Sequence, residues 1–193
     1  MDRSALVRRA FHLSSPAWLV WYWLPPDAGL GVPKAVFVVV FLSAALLIEA
    51  VRLVTGRRIL GFRDYETDRM SAYAWGSLGL AFGLLFFPGE LVIPAFWGMA
   101  WIDPLCATAK KRGWYPWAPL LAYGALFVVL EAVLVPLAPY QTTPIAGLRI
   151  ALYAGVAAPL AILAEYPNWR WVDDDFLMHV VPLLALAALS KLV

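Results

Sequence analysis

The acidic side chains of this sequence are few and grouped. Asp173, Asp174 and Asp175 stand together just before an apolar run that opens Phe176-Leu177-Met178. Adjacent carboxylates repel one another, and a divalent cation relieves that repulsion. A hydrated acidic loop is the plainer alternative. Asp103 closes another apolar stretch, is followed by Pro104, and precedes Lys110-Lys111-Arg112. A carboxylate at the end of a hydrophobic segment is costly unless it is paired or bound to a metal. Mg²⁺ on such a carboxylate, beside cations that neutralise phosphate, is an arrangement suited to nucleotides. A basic anchor at a membrane surface explains the three cations but not Asp103.

Other pairs have helical spacing. Arg8 and His12 are four apart and share a helix face, where a histidine could take a proton from an alcohol and an arginine could hold phosphate. An interfacial histidine beside a basic anchor has the same signature. Glu49 and Arg52 are three apart and fit a local ion pair, structural or functional. The segment Arg63-Asp64-Tyr65-Glu66-Thr67-Asp68-Arg69 reads as a solvated loop in which Glu66 is the candidate residue. His179 lies four residues after Asp175 and could pair with it, and Glu131 could pair structurally with Arg149.

The elements that hold these groups follow from composition. The chain of 193 residues is 63% hydrophobic and 15% charged, with a mean hydropathy of +0.74. Soluble domains are about half apolar and about a quarter charged, so lipid is needed as solvent. Apolar stretches lie at approximately 10–25, 33–53, 71–88, 90–108, 117–137, 144–164 and 176–192. A membrane helix needs roughly 20 such residues. The expected fold is an all-α polytopic bundle of about seven transmembrane helices, one integral membrane domain over 1–193. The basic start, Met1 to Arg9, reads as the flank of a retained first helix.

Charge sets the orientation. Arg3, Arg8 and Arg9, then Arg52, Arg57, Arg58, Arg63 and Arg69, then Lys110, Lys111 and Arg112, then Arg170 fall on one side of a seven-span chain. These are 12 of the 15 Lys and Arg residues; Lys34, Arg149 and Lys191 are the exceptions. The positive-inside rule makes that side, and the N-terminus, cytoplasmic. Most acids follow, which fits a membrane enzyme acting on a cytosolic substrate better than a transporter with mid-membrane polar groups. A single cysteine, Cys106, excludes an intramolecular disulfide and a multi-cysteine zinc site. No dense basic tract suits nucleic acid, and no P-loop, nucleophile elbow, zincin or kinase signature is present. Small residues at helical spacing, Ala72, Gly76, Gly79 and Gly83, and Ala151, Gly155 and Ala158, mark packing faces.

Taken in order, these segments resemble the dolichol kinase, phytol kinase and CTP-dependent diacylglycerol kinase family of polytopic lipid kinases. Arg8-Arg9-Ala10-Phe11-His12 resembles the family's Arg-Lys-x-x-His, and Glu49-Ala50-Val51-Arg52 its Glu-x-x-Arg. Arg63 to Glu66 with Ser71-Ala72 resembles its Arg-x-x-Glu segment, Ile102-Asp103-Pro104-Leu105-Cys106-Ala107 its Gly-Asp-x-x-Ala motif, and Asp173 to Met178 its acidic run. Ile102 replaces the motif glycine, Asp175 the run's asparagine and His179 a following proline. The family's Lys-Ser/Thr-x-x-Gly-Ser segment is missing: Lys111-Arg112-Gly113-Trp114-Tyr115-Pro116 leads straight into the next apolar stretch.

The resemblance implies phosphoryl transfer from a nucleoside triphosphate, CTP in the family, to a polyprenol, a phytol-like alcohol or diacylglycerol. Asp103, Asp173, Asp174 and Asp175 would hold Mg²⁺; Arg8, Lys110, Lys111 and Arg112 would bind phosphate; His12 or Glu66 would position or deprotonate the alcohol. The setting would be a prokaryotic plasma membrane, with the active site facing the cytoplasm. A CDP-lipid synthase shares the nucleotide and the metal, and a non-enzymatic membrane carrier or assembly subunit needs neither.

Overall fold

The computed structural model describes residues 3–57, 61–62, 66–140, 142–145, 147–166, 169 and 171–192. Arg58, Arg63, Asp64, Tyr65, Gln141 and Arg170, which entered the reading of loops and motifs, lie outside the described residues. Among the described residues the chain is helical throughout, with no strand. The α-helices are α1 (Arg3–Ser14), α2 (Lys34–Thr55), α3 (Ala72–Phe86), α4 (Gly89–Arg112), α5 (Trp117–Val129), α6 (Leu148–Glu165) and α7 (Asp174–Leu189). A 3₁₀ segment, Ser15–Trp23, follows α1, and α5 runs on through a π turn, Leu130–Leu134, and a short 3₁₀ turn, Val135–Leu137.

The caps have local causes. Ser71 accepts from the Ala74 amide at 3.2 Å to open α3, and Asp173 accepts from the Asp175 amide at 3.1 Å to open α7; both satisfy amides that a helix start leaves without partners. Gly56 and Gly113 close α2 and α4 in the left-handed region, φ 63° and 71°. The first apolar stretch is not one regular helix. Pro16 has no amide proton for the His12 carbonyl, so α1 stops at Ser14. The Ser15 hydroxyl donates to that carbonyl instead, at 2.7 Å.

Four helical stretches are long and apolar enough to cross a membrane: Lys34–Thr55, Gly89–Arg112, Trp117–Leu137 and Leu148–Glu165. The protein is therefore an all-helical chain of membrane type. Helices α3 and α7, of 15 and 16 residues, fall short of the roughly 20 residues that span the hydrocarbon core. Helix α4 is central. It packs on α5, α7 and the 3₁₀ segment, while α6 packs on α5 and α7, and α3 on α7. Helix α2 leans mainly on α3. In membrane-length windows 61% of α4 is buried against 17% of α2, so most of α2 faces outward with its Val, Leu and Ile side chains.

Small residues permit the close approaches. Gly79 and Gly83 of the α3 stripe face Phe176 and His179 of α7, whereas Gly76, and Gly155 of the α6 stripe, would meet nothing within 4 Å, and Ala151 and Gly155 are exposed. On α4, a Cβ at Gly98 would collide with the Tyr123 ring of α5. Tyr123 is fully buried and cannot give way cheaply. Gly98→Leu is therefore expected to destabilise the bundle by about 1–3 kcal/mol or more, read as a lower unfolding midpoint in detergent micelles; an unchanged midpoint would mean that α4 and α5 are not packed this closely.

Candidate functional site

One end of the bundle collects the end of α2, the start of α3, the end of α4, the end of α6 and the start of α7. A buried ion pair organises its margin. Arg52 donates to both carboxylate oxygens of Glu49, at 2.9 and 2.8 Å, and to the carbonyls of Glu66 at 2.8 Å and Arg69 at 2.6 Å. Glu49 in turn accepts from the Ser71 amide at 2.7 Å and the Ser71 hydroxyl at 3.0 Å. Glu49 and Arg52 are 6% and 4% exposed, so each needs the other, and the pair the spacing suggested is a clamp across the α2–α3 connection. The clamp positions Glu66, which is buried and accepts from the Ala72 amide at 3.3 Å.

Beside it lies a cavity of about 170 Å³. Arg8, His12, Glu66, Asp103 and Asp175 all contribute to its lining, with Arg9 at its edge. His12 sits between two carboxylates: its Nε2 is 3.7 Å from Asp103 Oδ2 and its Nδ1 is 3.6 Å from Asp175 Oδ2. The histidine side chain is only 15% exposed. Three helices meet at this imidazole, since α1 supplies His12, α4 Asp103 and α7 Asp175. Helix α1 is tied down further by the Trp101 indole, which donates to the Leu13 carbonyl at 3.2 Å.

Three groups of side chains bring donor atoms within 4.8 Å of one another, as a metal ion would need: His12, Asp103 and Asp175; Asp103, Glu165 and Asp174; and Asp173, Asp174 and Asp175. The separate stretches that sequence reading linked through one cation are therefore together in space. Hard carboxylate oxygens are the donors that Mg²⁺ prefers, so the residues present fit that ion.

The predicted cations do not all reach the cavity. Lys110 donates to Glu165 at 2.7 Å and lies over the Tyr115 ring at 5.1 Å. Arg112 stacks on Trp114 at 5.0 Å, and Lys111 is exposed. Among the described residues, only Arg8 and Arg9 bring positive charge to the cavity lining. Burial and then the Glu165 carboxylate push the Tyr115 hydroxyl up from its ordinary pKa, so it stays a proton donor, 3.0 Å from the Ile162 carbonyl.

Two expected pairs fail. Glu131 is fully buried in the π turn, with neither oxygen hydrogen-bonded, and Arg149 is exposed; the π turn carries the glutamate inward while α6 begins at the surface. His179 is fully buried and edge-on to Phe96 at 5.1 Å; it turns toward Gly83 of α3 rather than back to Asp175. Sequence reading also missed an apolar groove of about 150 Å³ between the 3₁₀ segment, α2 and α3. It shares Trp18, Phe41 and Leu80 with the polar cavity. Large apolar residues on three elements gave no signal that they would line a groove rather than fill a core. Glu165 was visible only as one more acid at a charged end.

No protein-family model matches this chain, and no curated protein or solved structure is significantly similar to it.

Arg52→Met should leave the Glu49 carboxylate buried without its counter-charge, which typically costs about 3–5 kcal/mol. Thermal unfolding in detergent should show the loss, and the double variant Glu49→Gln/Arg52→Met should recover part of it. A double variant no better than the single would show that the hydrogen bonds to the Glu66 and Arg69 carbonyls, not the ion pair, hold the connection.

Proposed function

We propose that this protein is a membrane lipid-alcohol kinase, similar to the dolichol kinase family, that transfers a phosphoryl group from a nucleoside triphosphate, CTP by that resemblance, to the hydroxyl of a polyprenol, phytol-like alcohol or diacylglycerol. The observation that carries the reading is that two cavities of opposite character adjoin. A compartment lined by His12, Glu66, Asp103, Asp175 and two arginines shares Trp18, Phe41 and Leu80 with one lined almost wholly by apolar side chains. From Tyr73 to Leu84, both lining residues of α3, the helix rises about 16 Å at ~1.5 Å per residue. That path suits a molecule with a polar head and a hydrocarbon tail.

The chemistry follows from the chain's own groups. Arg8 and Arg9 are placed to attract the triphosphate and to balance charge on the transferred group. His12, at the head of the groove, accepts the hydroxyl proton, and Asp103 and Asp175 on its two nitrogens favour the imidazolium that results. The alcohol oxygen bonds to the terminal phosphorus as the bond from that phosphorus to its bridging oxygen breaks, and the nucleoside diphosphate leaves. Glu66, fixed by the clamp on α2, limits how the head group can lie. The clustered carboxylates of Asp103, Asp173, Asp174 and Asp175 would hold Mg²⁺, which would supply positive charge to the phosphates. Such a reaction rests mainly on positioning and electrostatics.

On this reading the site end faces the cytoplasm, and the chain crosses the membrane about seven times with α1 and its 3₁₀ extension as the first crossing. Exposed Trp114, Trp117, Trp169 and Trp171 lie in the two connections at the site end, as residues of a membrane–water interface do. Single-cysteine probes near Arg57 and Lys111 should label from the cytoplasmic side, and probes near Gly89 and Gln141 from the outside. Labelling of position 111 from the outside only would reverse the orientation.

Membranes containing the protein should transfer labelled terminal phosphate to a lipid alcohol with Mg²⁺ present, releasing CDP. Asp103→Asn keeps shape and removes charge, and should lower the rate about 100-fold or more while the protein remains folded. Pyrophosphate release in place of CDP would identify a cytidylyltransferase. A panel of polyprenols, phytol-like alcohols and diacylglycerols that shows no transfer with any of the four common ribonucleoside triphosphates would overturn the enzyme reading.

A further inference from the structure

The three possible ligand groups share residues but differ in chemistry. The group of Asp173, Asp174 and Asp175 lies on a single turn, and Asp173 is already used as the cap of α7. The group containing His12 includes an imidazole, a donor suited to zinc, copper, iron or nickel more than to Mg²⁺. The third, Asp103 with Glu165 and Asp174, offers oxygen alone and draws it from α4, α6 and α7.

Glu165 is the residue that distinguishes the third group. Its side chain is 5% exposed. One oxygen, Oε1, accepts from Lys110 at 2.7 Å, and the other, Oε2, is buried with no hydrogen-bond partner. A buried carboxylate oxygen left without a partner is costly. Glu165 belongs, with Asp103 and Asp174, to a group of carboxylates drawn from three helices. A divalent cation there would supply the partner that Oε2 lacks.

We infer that Glu165, which no motif in the sequence assigns, is a ligand to the divalent cation, and that the cation is held by Asp103, Glu165 and Asp174, leaving His12 and Asp175 outside its coordination. The assignment rests on reading this end of the bundle as a cation-dependent transferase site, but it divides the labour there. Asp174 belongs to the metal and Asp175 to the histidine, although they are neighbours in sequence. Asp103 joins the two groups, with Oδ2 facing His12 Nε2. Lys110 orients Glu165 and competes with the cation for its charge.

The test uses the full chain in detergent micelles with Mn²⁺ as the probe, followed by electron paramagnetic resonance. Mn²⁺ shares the preference of Mg²⁺ for oxygen but also takes an imidazole nitrogen, and a coordinated histidine would show in its spectrum. The wild type should bind Mn²⁺ displaceable by Mg²⁺, and its electron spin echo should carry no ¹⁴N modulation from imidazole. Glu165→Gln and Asp174→Asn should each weaken binding by at least the roughly 10–100-fold that loss of even an outer-shell partner costs. His12→Gln and Asp175→Asn should leave it unchanged. Lys110→Met, which removes the cation's competitor for Glu165 at a half-exposed position, should tighten it. Wild-type affinity in both Glu165→Gln and Asp174→Asn, strong ¹⁴N modulation, or a loss in His12→Gln equal to that in Glu165→Gln would overturn the assignment. Circular dichroism and size exclusion identify any variant that has not folded, and the Lys110→Met titration decides in that case, since weaker or unchanged binding there also counts against it. Binding with the expected pattern but no phosphate transfer would sink the kinase reading alone. Transfer that survives in Glu165→Gln with undiminished Mn²⁺ affinity would sink only the ligand assignment.

Discussion

The buried guanidinium of Arg52 is the contact on which the rest of this arrangement depends. It spends its donors on one carboxylate and two backbone carbonyls. Within a largely apolar bundle there is little water to take over any of those bonds. Helix α2, which is otherwise loosely held, is thereby fixed to the start of α3. With that junction set, Glu66 is fixed, one wall of the polar cavity exists, and the groove between α2 and α3 has a definite width. Because one partner of a buried pair cannot be lost without stranding the other, the junction holds as a unit.

A second constraint is the sharing of one imidazole by two acids. His12 is carried on the short helix α1, which also packs on α4 and the 3₁₀ segment, sets Phe11 edge-on to Tyr73 of α3 at 4.9 Å, and accepts the Trp101 bond at Leu13. The carboxylates of α4 and α7 therefore do two things at once. They hold α1 in place and they set the electrostatic surroundings of the group proposed to move a proton. Asp103 belongs both to the histidine's surroundings and to the proposed metal group, so one aspartate links the cation to the histidine.

Much of this was legible in the sequence because lipid leaves few options. Long apolar stretches had to be helices, but the boundary residues Gly56, Ser71, Gly113 and Asp173 emerged only from the structure. The spacing of Glu49 and Arg52 gave their pair, and the clustering of charge on one side brought Asp103 and the acidic run into one region. What was hidden depended on side-chain direction. Nothing in spacing separates Asp174 from Asp175, yet successive helical residues point about 100° apart, and that rotation puts one toward Glu165 and the other toward His12. Pro16 broke the first apolar stretch for a local reason, but that Ser15 would cap the released carbonyl needed coordinates. The inward turn of Glu131 followed from a π turn, a one-residue register change that hydrophobic periodicity averages away.

Trp18 and Phe41 face each other where the two cavities meet, with ring centroids 4.6 Å apart. They belong to both linings, one from the 3₁₀ segment and one from α2. On the proposed function, this pair would act as a threshold at fixed depth. Whatever occupies both compartments must change from polar to hydrocarbon as it passes these rings, and so it meets the water–oil boundary inside the protein instead of at the surface of the bilayer. Depth in the membrane then becomes a property of the fold: the rings set how far from His12 the apolar part of a guest begins, independently of the thickness of the lipid around it.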